Sequence, residues 1–162
     1  MRRRSVIIDQ DTLGPAGTNL QSVALLLNAP NVDVLGLCVS TGDHWRDHQV
    51  RQALRLLEIM ERTDVPVVPG AFMPLVNTPA DTAAWEAQHG KLIYNGAWDL
   101  ARPGRWADPH HTPDLLEGNP STAPASEHAA TFIVRQARAQ PGEISLWCAG
   151  PLTNLALALQ LE

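Results

Sequence analysis

The sequence predicts an α/β fold, with a Rossmann-like, mostly parallel sheet flanked by helices. Two observations predict it. Short apolar runs rich in Val, Ile and Leu each end in a polar, Gly-containing stretch, as buried parallel strands do, and these runs alternate with segments of helical length and periodicity over short connections. In such folds, sites form beyond the carboxyl ends of the strands.

The first strand is expected at Ser5 to Ile8, followed by the loop DQDTLGPAGTN. LQSVALLLNAP has the composition of a helix, and Pro30 closes it. Val34 to Ser40 reads as the second strand, completing a βαβ unit. From about Asp47 to Arg62, Val50, Ala53, Leu54, Leu56, Leu57 and Met60 recur at helical spacing, leaving Arg51, Arg55 and Arg62 for a solvated face. VPVVPG is then a short strand. Ser126 suits the N-cap of a helix from about Glu127 to Ala139 that Pro141-Gly142 ends. EISLWCA is a further strand, and Pro151 suits the first position of a last helix, LTNLALAL.

Residues 72–124 stand apart, with many prolines, three of the five tryptophans and no clear periodicity. A stretch this long without regular structure suggests an irregular insertion or a lid within one domain spanning residues 1–162. No internal repeat is visible.

Composition narrows the function. The chain of 162 residues carries a net charge of −5, and its only basic cluster is Arg2 to Arg4, so a surface that tracks nucleic-acid phosphates is not expected. Cys38 and Cys148 lie inside apolar runs and read as small hydrophobes. The apolar run after the N-terminal arginines is too short for a signal-peptide core or a membrane span. A cytoplasmic protein is expected.

Asp9 and Asp11 carry the first chemical signal. Residues two apart at the end of an extended strand point to one side, so their carboxylates can converge on a hard cation such as Ca²⁺ or Mg²⁺. The alternative is that one acid caps the following turn while the other is solvated. GPAGTN can form a nest of backbone N–H groups, yet it has neither P-loop nor dinucleotide spacing, and Lys91, the sole lysine, is remote. His44 and His48 stand four apart and His110-His111 are adjacent, but neither pair completes zinc-site spacing.

Two families share these residues. DQDTL with LCVST partly resembles the haloacid-dehalogenase phosphatases, although that family has a residue between its second acid and its Thr and a later basic residue for phosphate. A longer resemblance runs through D-x-D, PNVDVLGLCVSTGD, VPVVPGAFMPL, HAATFIVRQARAQPGEISLW and, most specifically, AGPLTNLALAL. In that order these stretches resemble the N-terminal half of the inosine-uridine preferring nucleoside hydrolases.

That resemblance implies hydrolysis of the N-glycosidic bond of ribonucleosides with a bound Ca²⁺. It implies that Asp11 is a metal-binding acid and general base, that Asp9 supports it, and that Thr153 offers a backbone carbonyl to the ion. The family's loop, DxDPGxDD, ends in two acids for the metal and the ribose hydroxyls, where this chain has Thr18-Asn19. Asn19 is then expected at the metal and, with Thr18, at the ribose. The family's Gly-Asn after the second strand is Gly42-Asp43 here, which puts Asp43 at the ribose. HGKLIYNGAW can reach over the site as a lid, with Tyr94 or Trp98 against a base.

The family's later half, with a further metal-binding aspartate and a histidine that helps the base leave, is not in these residues. Weak or no turnover is therefore expected from them alone. A homo-oligomer, or association with the missing C-terminal half, is the expected assembly, and a non-catalytic nucleoside- or sugar-binding module is the alternative function.

Overall fold

The computed structural model describes residues 3–14, 17–99 and 107–162. Residues 15 and 16 of the GPAGTN loop and 100–106 of the Pro-rich segment lie outside the described residues. In chain order the elements are β1 (Arg4–Asp9), α1 (Thr18–Asn28), β2 (Val32–Val39), α2 (Arg46–Ile59), β3 (Val67–Pro69), α3 (Pro79–His89), a 3₁₀ turn (Gly96–Trp98), α4 (Ala129–Ala139), β4 (Ile144–Cys148) and α5 (Thr153–Leu161). The described strands form one sheet in the order β3-β2-β1-β4, and its three pairings are parallel. This is the expected α/β architecture.

Alternation along the strands divides the core in two. Val6 and Ile8 of β1, with Leu37 and Val39 of β2, face Leu20, Val23 and Leu27 of α1 and Leu54 and Leu57 of α2. Ile7, Cys38 and Val68 face Ala129, Phe132 and Ile133 of α4 and Ala158 of α5 on the other side. Each fully buried Leu or Ile contributes about 1.5–3 kcal/mol, so these two layers hold the sheet between helices and fix where its carboxyl ends emerge. Cys38 is buried and Cys148 half-buried, both as free thiols.

Three expectations change. The Pro-rich segment contains a regular helix, α3, whose Thr78 and Asp81 form a capping box: Thr78 Oγ1 accepts from Asp81 N at 3.1 Å, and Asp81 Oδ2 from Thr78 N at 3.0 Å. Among the residues of α3 only Glu86 is buried, so the helix has no apolar stripe to betray it. α4 starts at Ala129, because His128 rather than Ser126 is the cap, its Nδ1 accepting from Ala130 N at 3.1 Å.

The arginines of α2 are not a solvated face. Arg51 donates to the carbonyls of Thr112 (2.6 Å) and Pro113 (2.8 Å) and Arg55 to that of Glu117 (2.8 Å), while Arg62, just past the end of α2, donates to that of Leu27 in α1 (2.7 Å). Glu58 completes the clamp, accepting from the backbone N–H groups of Ser121 (2.6 Å) and Thr122 (2.7 Å). Carbonyls and N–H groups of an irregular segment need such partners, and α2 supplies them along one side.

Candidate active site

β1 delivers Asp9 to the carboxyl edge of the sheet, where Asp9 O accepts from Ala149 N (3.0 Å) and Gln10 N donates to Cys38 O (3.0 Å). The chain leaves the ladder between β2 and β4, so the next side chains are enclosed on both sides. Asp9 is 1% exposed and Asp11 7% exposed.

Asp11 is held tightly. Its Oδ2 accepts from the backbone N–H of Asp43 at 2.9 Å, and its Oδ1 from Asn19 Nδ2 at 3.2 Å. Asn19 Nδ2 also donates to the Asp11 carbonyl at 2.7 Å and to Asp43 Oδ2 at 2.8 Å. The other oxygen of Asp43 accepts from the Tyr94 hydroxyl. The loops after β1 and β2 and the start of α1 therefore meet at one point, and the stretch holding Tyr94 closes over it. Ala97 N reinforces that closure by donating to the Gly42 carbonyl at 2.8 Å.

Two glycines make room for the Asp11 carboxylate. A Cβ on Gly42 would lie 2.3 Å from Asp11 Oδ2, and one on Gly150 would lie 2.7 Å from Asp11 N and 3.0 Å from its Oδ1. The shortest distance at each glycine is below any ordinary contact, so neither residue tolerates a side chain while Asp11 stays in place. Gly42→Ala is expected to lower any activity at this site by about 10²-fold, because the carboxylate moves by an ångström or so. Steady-state rates, with circular dichroism to show retained secondary structure, check this; an unimpaired variant would show that Asp11 need not sit here.

Asp9 is supported from the far end of the chain. Asn154, fully buried at the start of α5, donates Nδ2 to Asp9 Oδ1 at 2.8 Å and accepts from Ala71 N at 2.7 Å through Oδ1. Sequence reasoning singled out AGPLTN but not this asparagine; an amide in the first turn of the helix that follows a strand end was the available signal. Thr153 is the residue before it. Thr18 is exposed, and its hydroxyl bonds Asn19 Oδ1 at 3.4 Å.

The electrostatics match acid–base work. Burial pushes the Asp9 carboxyl up to about 6; the Asn154 hydrogen bond opposes this and the charge of Asp11 adds to it. Burial likewise pushes Asp11 up to about 6, opposed by the Asp43 N–H and assisted by the Asp43 carboxylate.

The donor set also suits a hard cation. Asp9 Oδ2 is buried with no hydrogen-bond partner, and three oxygens of Asp11 and Asp43 gather around one amide nitrogen. Among the described residues no group of three His, Cys, Asp or Glu side chains is placed to hold a metal, so such an ion would need neutral oxygens as well. His44 and His48 lie against each other with centroids 4.5 Å apart and ring planes tilted by 48°, and both are buried.

The family model described as inosine-uridine preferring nucleoside hydrolase matches residues 6–162. The chain is similar to a probable uridine nucleosidase 2 of Arabidopsis thaliana, 37% identical over 165 residues that cover 99% of this chain and 43% of that protein. A pyrimidine-specific ribonucleoside hydrolase of Salmonella arizonae is 29% identical, covering 95% of this chain and 42% of that protein. Among solved structures, a plant nucleoside hydrolase superposes with a TM-score of 0.68 at 24% identity, over 98% of this chain and 43% of that one, a likeness of fold. The chain spans less than half the length of these relatives.

Proposed function

Since the chain belongs to the inosine-uridine preferring nucleoside hydrolase family, we propose that it carries one side of an active site that hydrolyses the N-glycosidic bond of ribonucleosides. The observation that carries this reading is the Asp11 carboxylate, buried between two glycines and fixed by the Asp43 N–H. In the reaction the bond from the anomeric carbon to the base nitrogen breaks and its electron pair leaves with the base. A water oxygen bonds the same carbon, and Asp11 takes the proton that this water sheds.

Asp9, which Asn154 holds in place, keeps Asp11 at the strand end. Asp43 and Asn19 face the same point, Asp43 with a carboxylate oxygen and Asn19 with its amide, and bind the ribose hydroxyls on this reading, with Thr18 at the rim. A calcium ion held by Asp11, by Asn19 through its amide oxygen and by the Thr153 carbonyl would supply Lewis-acid stabilisation of the attacking water. Tyr94 and the turn at Gly96–Trp98 close over this point. The remaining walls of the pocket come, on this reading, from further polypeptide or a second copy of the chain. Among the described residues no helix is long and apolar enough to cross a membrane, and we place the protein in the cytoplasm.

The test is release of free base from uridine and inosine by the native protein that carries these residues. Turnover is expected to disappear with a calcium chelator and return with calcium. Because Asp11 acts as its carboxylate, and its carboxyl is pushed up to about 6 by burial, the rate at limiting but non-zero calcium is expected to fall as pH drops through about 6. Added calcium moves this limb to lower pH, since a nearby positive charge favours the ionised acid. Base release from neither nucleoside would overturn the reading.

A further inference from the structure

We propose that Asp43 is the second carboxylate of the cation site, supplying the negative charge that Asn19 does not carry. The inference rests on the calcium reading above and adds a ligand to it.

The geometry converges on a single atom. Asn19 Nδ2 lies 2.7 Å from the Asp11 carbonyl, 3.2 Å from Asp11 Oδ1 and 2.8 Å from Asp43 Oδ2. One neutral amide hydrogen-bonds two carboxylates and a carbonyl, and such a gathering of oxygens is what a hard cation selects. Two acids sharing one neutral donor repel each other across it, a repulsion that a cation at the same focus would convert to attraction.

A separate observation points the same way. Asp9, 1% exposed, has a carboxylate oxygen with no hydrogen-bond partner, and the neighbouring charge of Asp11 acts on it. A buried carboxylate oxygen left unpaired is costly unless a positive charge comes near.

Asp43 is built to serve. Its backbone N–H is spent on Asp11 Oδ2, which fixes the turn, and its Oδ1 accepts from the Tyr94 hydroxyl, which fixes the side chain. Oδ2 is left for the focus, where Asn19 now donates. Turning the Asn19 carboxamide end for end exchanges its NH₂ for Oδ1, so the donor that now holds the two acids becomes a neutral oxygen ligand between them. Asn19 and Asp43 then share the work as one amide and one acid.

Cation binding to the chain, read by terbium luminescence with calcium competition and by calorimetry with calcium, tests this without any turnover. Asp43→Asn is expected to weaken calcium binding by about tenfold or more, as Asp11→Asn does, since affinity at hard-oxygen sites follows the number of charged ligands. The exchange variant Asn19→Asp/Asp43→Asn keeps one acid and one amide across the same contact, and it is expected to recover affinity to within about threefold of the starting chain. Circular dichroism confirms folding of each.

If Asp43→Asn binds as the unaltered chain does while Asp11→Asn loses binding, Asp43 is not a ligand, although the calcium reading stands. If the unaltered chain binds neither ion and Asn19→Asp does, the charge of Asp43 does not reach the site and the assignment falls. If neither binds, the calcium reading falls and takes this inference with it.

Discussion

Asp11→Asn is expected to lower nucleoside hydrolysis by about three orders of magnitude, the middle of the range for losing a positioned general base, while leaving the fold in place. The substitution is nearly isosteric. Its remaining carbonyl oxygen can still accept from the Asp43 N–H, and the space left by Gly42 and Gly150 is unchanged. What disappears is the basic oxygen and the charge. Because burial already pushes this carboxyl up to about 6, the neutral amide adds no desolvation cost, and thermal stability should hold or rise. Base release from uridine and the melting midpoint together check the prediction: a stable variant with full activity would remove Asp11 from the chemistry.

Asn154→Ala is expected to cause the largest loss of stability. The asparagine is fully buried and makes two bonds that no other group can replace, to Asp9 Oδ1 at 2.8 Å and from Ala71 N at 2.7 Å. Truncation leaves a buried N–H and a buried carboxylate without partners, a cost of about 3 kcal/mol. For a chain of this size that corresponds to a fall in the melting midpoint of roughly 6–12 °C.

Asn154→Asp separates the two bonds. It keeps an acceptor for Ala71 N but places a second acid against Asp9, so it should be worse than Ala at neutral pH. Since the Asp9 carboxyl is pushed up to about 6 by burial, acidification through that range should restore part of the loss. A midpoint for Asn154→Ala within about 1 °C of the unaltered chain would mean that Asp9 is not supported in this way.

The features legible in the sequence are those with short-range periodic causes. The strands ending at Asp9 and Val39 and the helices α1 and α2 are readable because each buries a face, and burial writes its period into the apolar residues, while β4, half-buried throughout, and α5 are readable from their apolar composition. α3 is not, since almost none of it is buried and only its capping box marks it. The arginines of α2 misled for a related reason: a long charged side chain reads the same whether it meets water or the carbonyls of a distant segment. AGPLTN separated the hydrolase resemblance from the phosphatase one, because the phosphatase pattern makes no use of it.

By itself the sequence determined the parallel α/β architecture, the family, and the position of Asp9 and Asp11 at a strand end, because strand period and loop placement are local properties. Only the tertiary structure decided what surrounds those acids. Asn154 reaches Asp9 across 145 positions, and Tyr94 reaches Asp43 across 51. Asp43 meets Asn19 only because the loop after β2 folds back onto the start of α1. Such contacts join loops whose separation follows no repeat, and they form because the packed sheet brings its carboxyl ends together, where buried carboxylates must find partners.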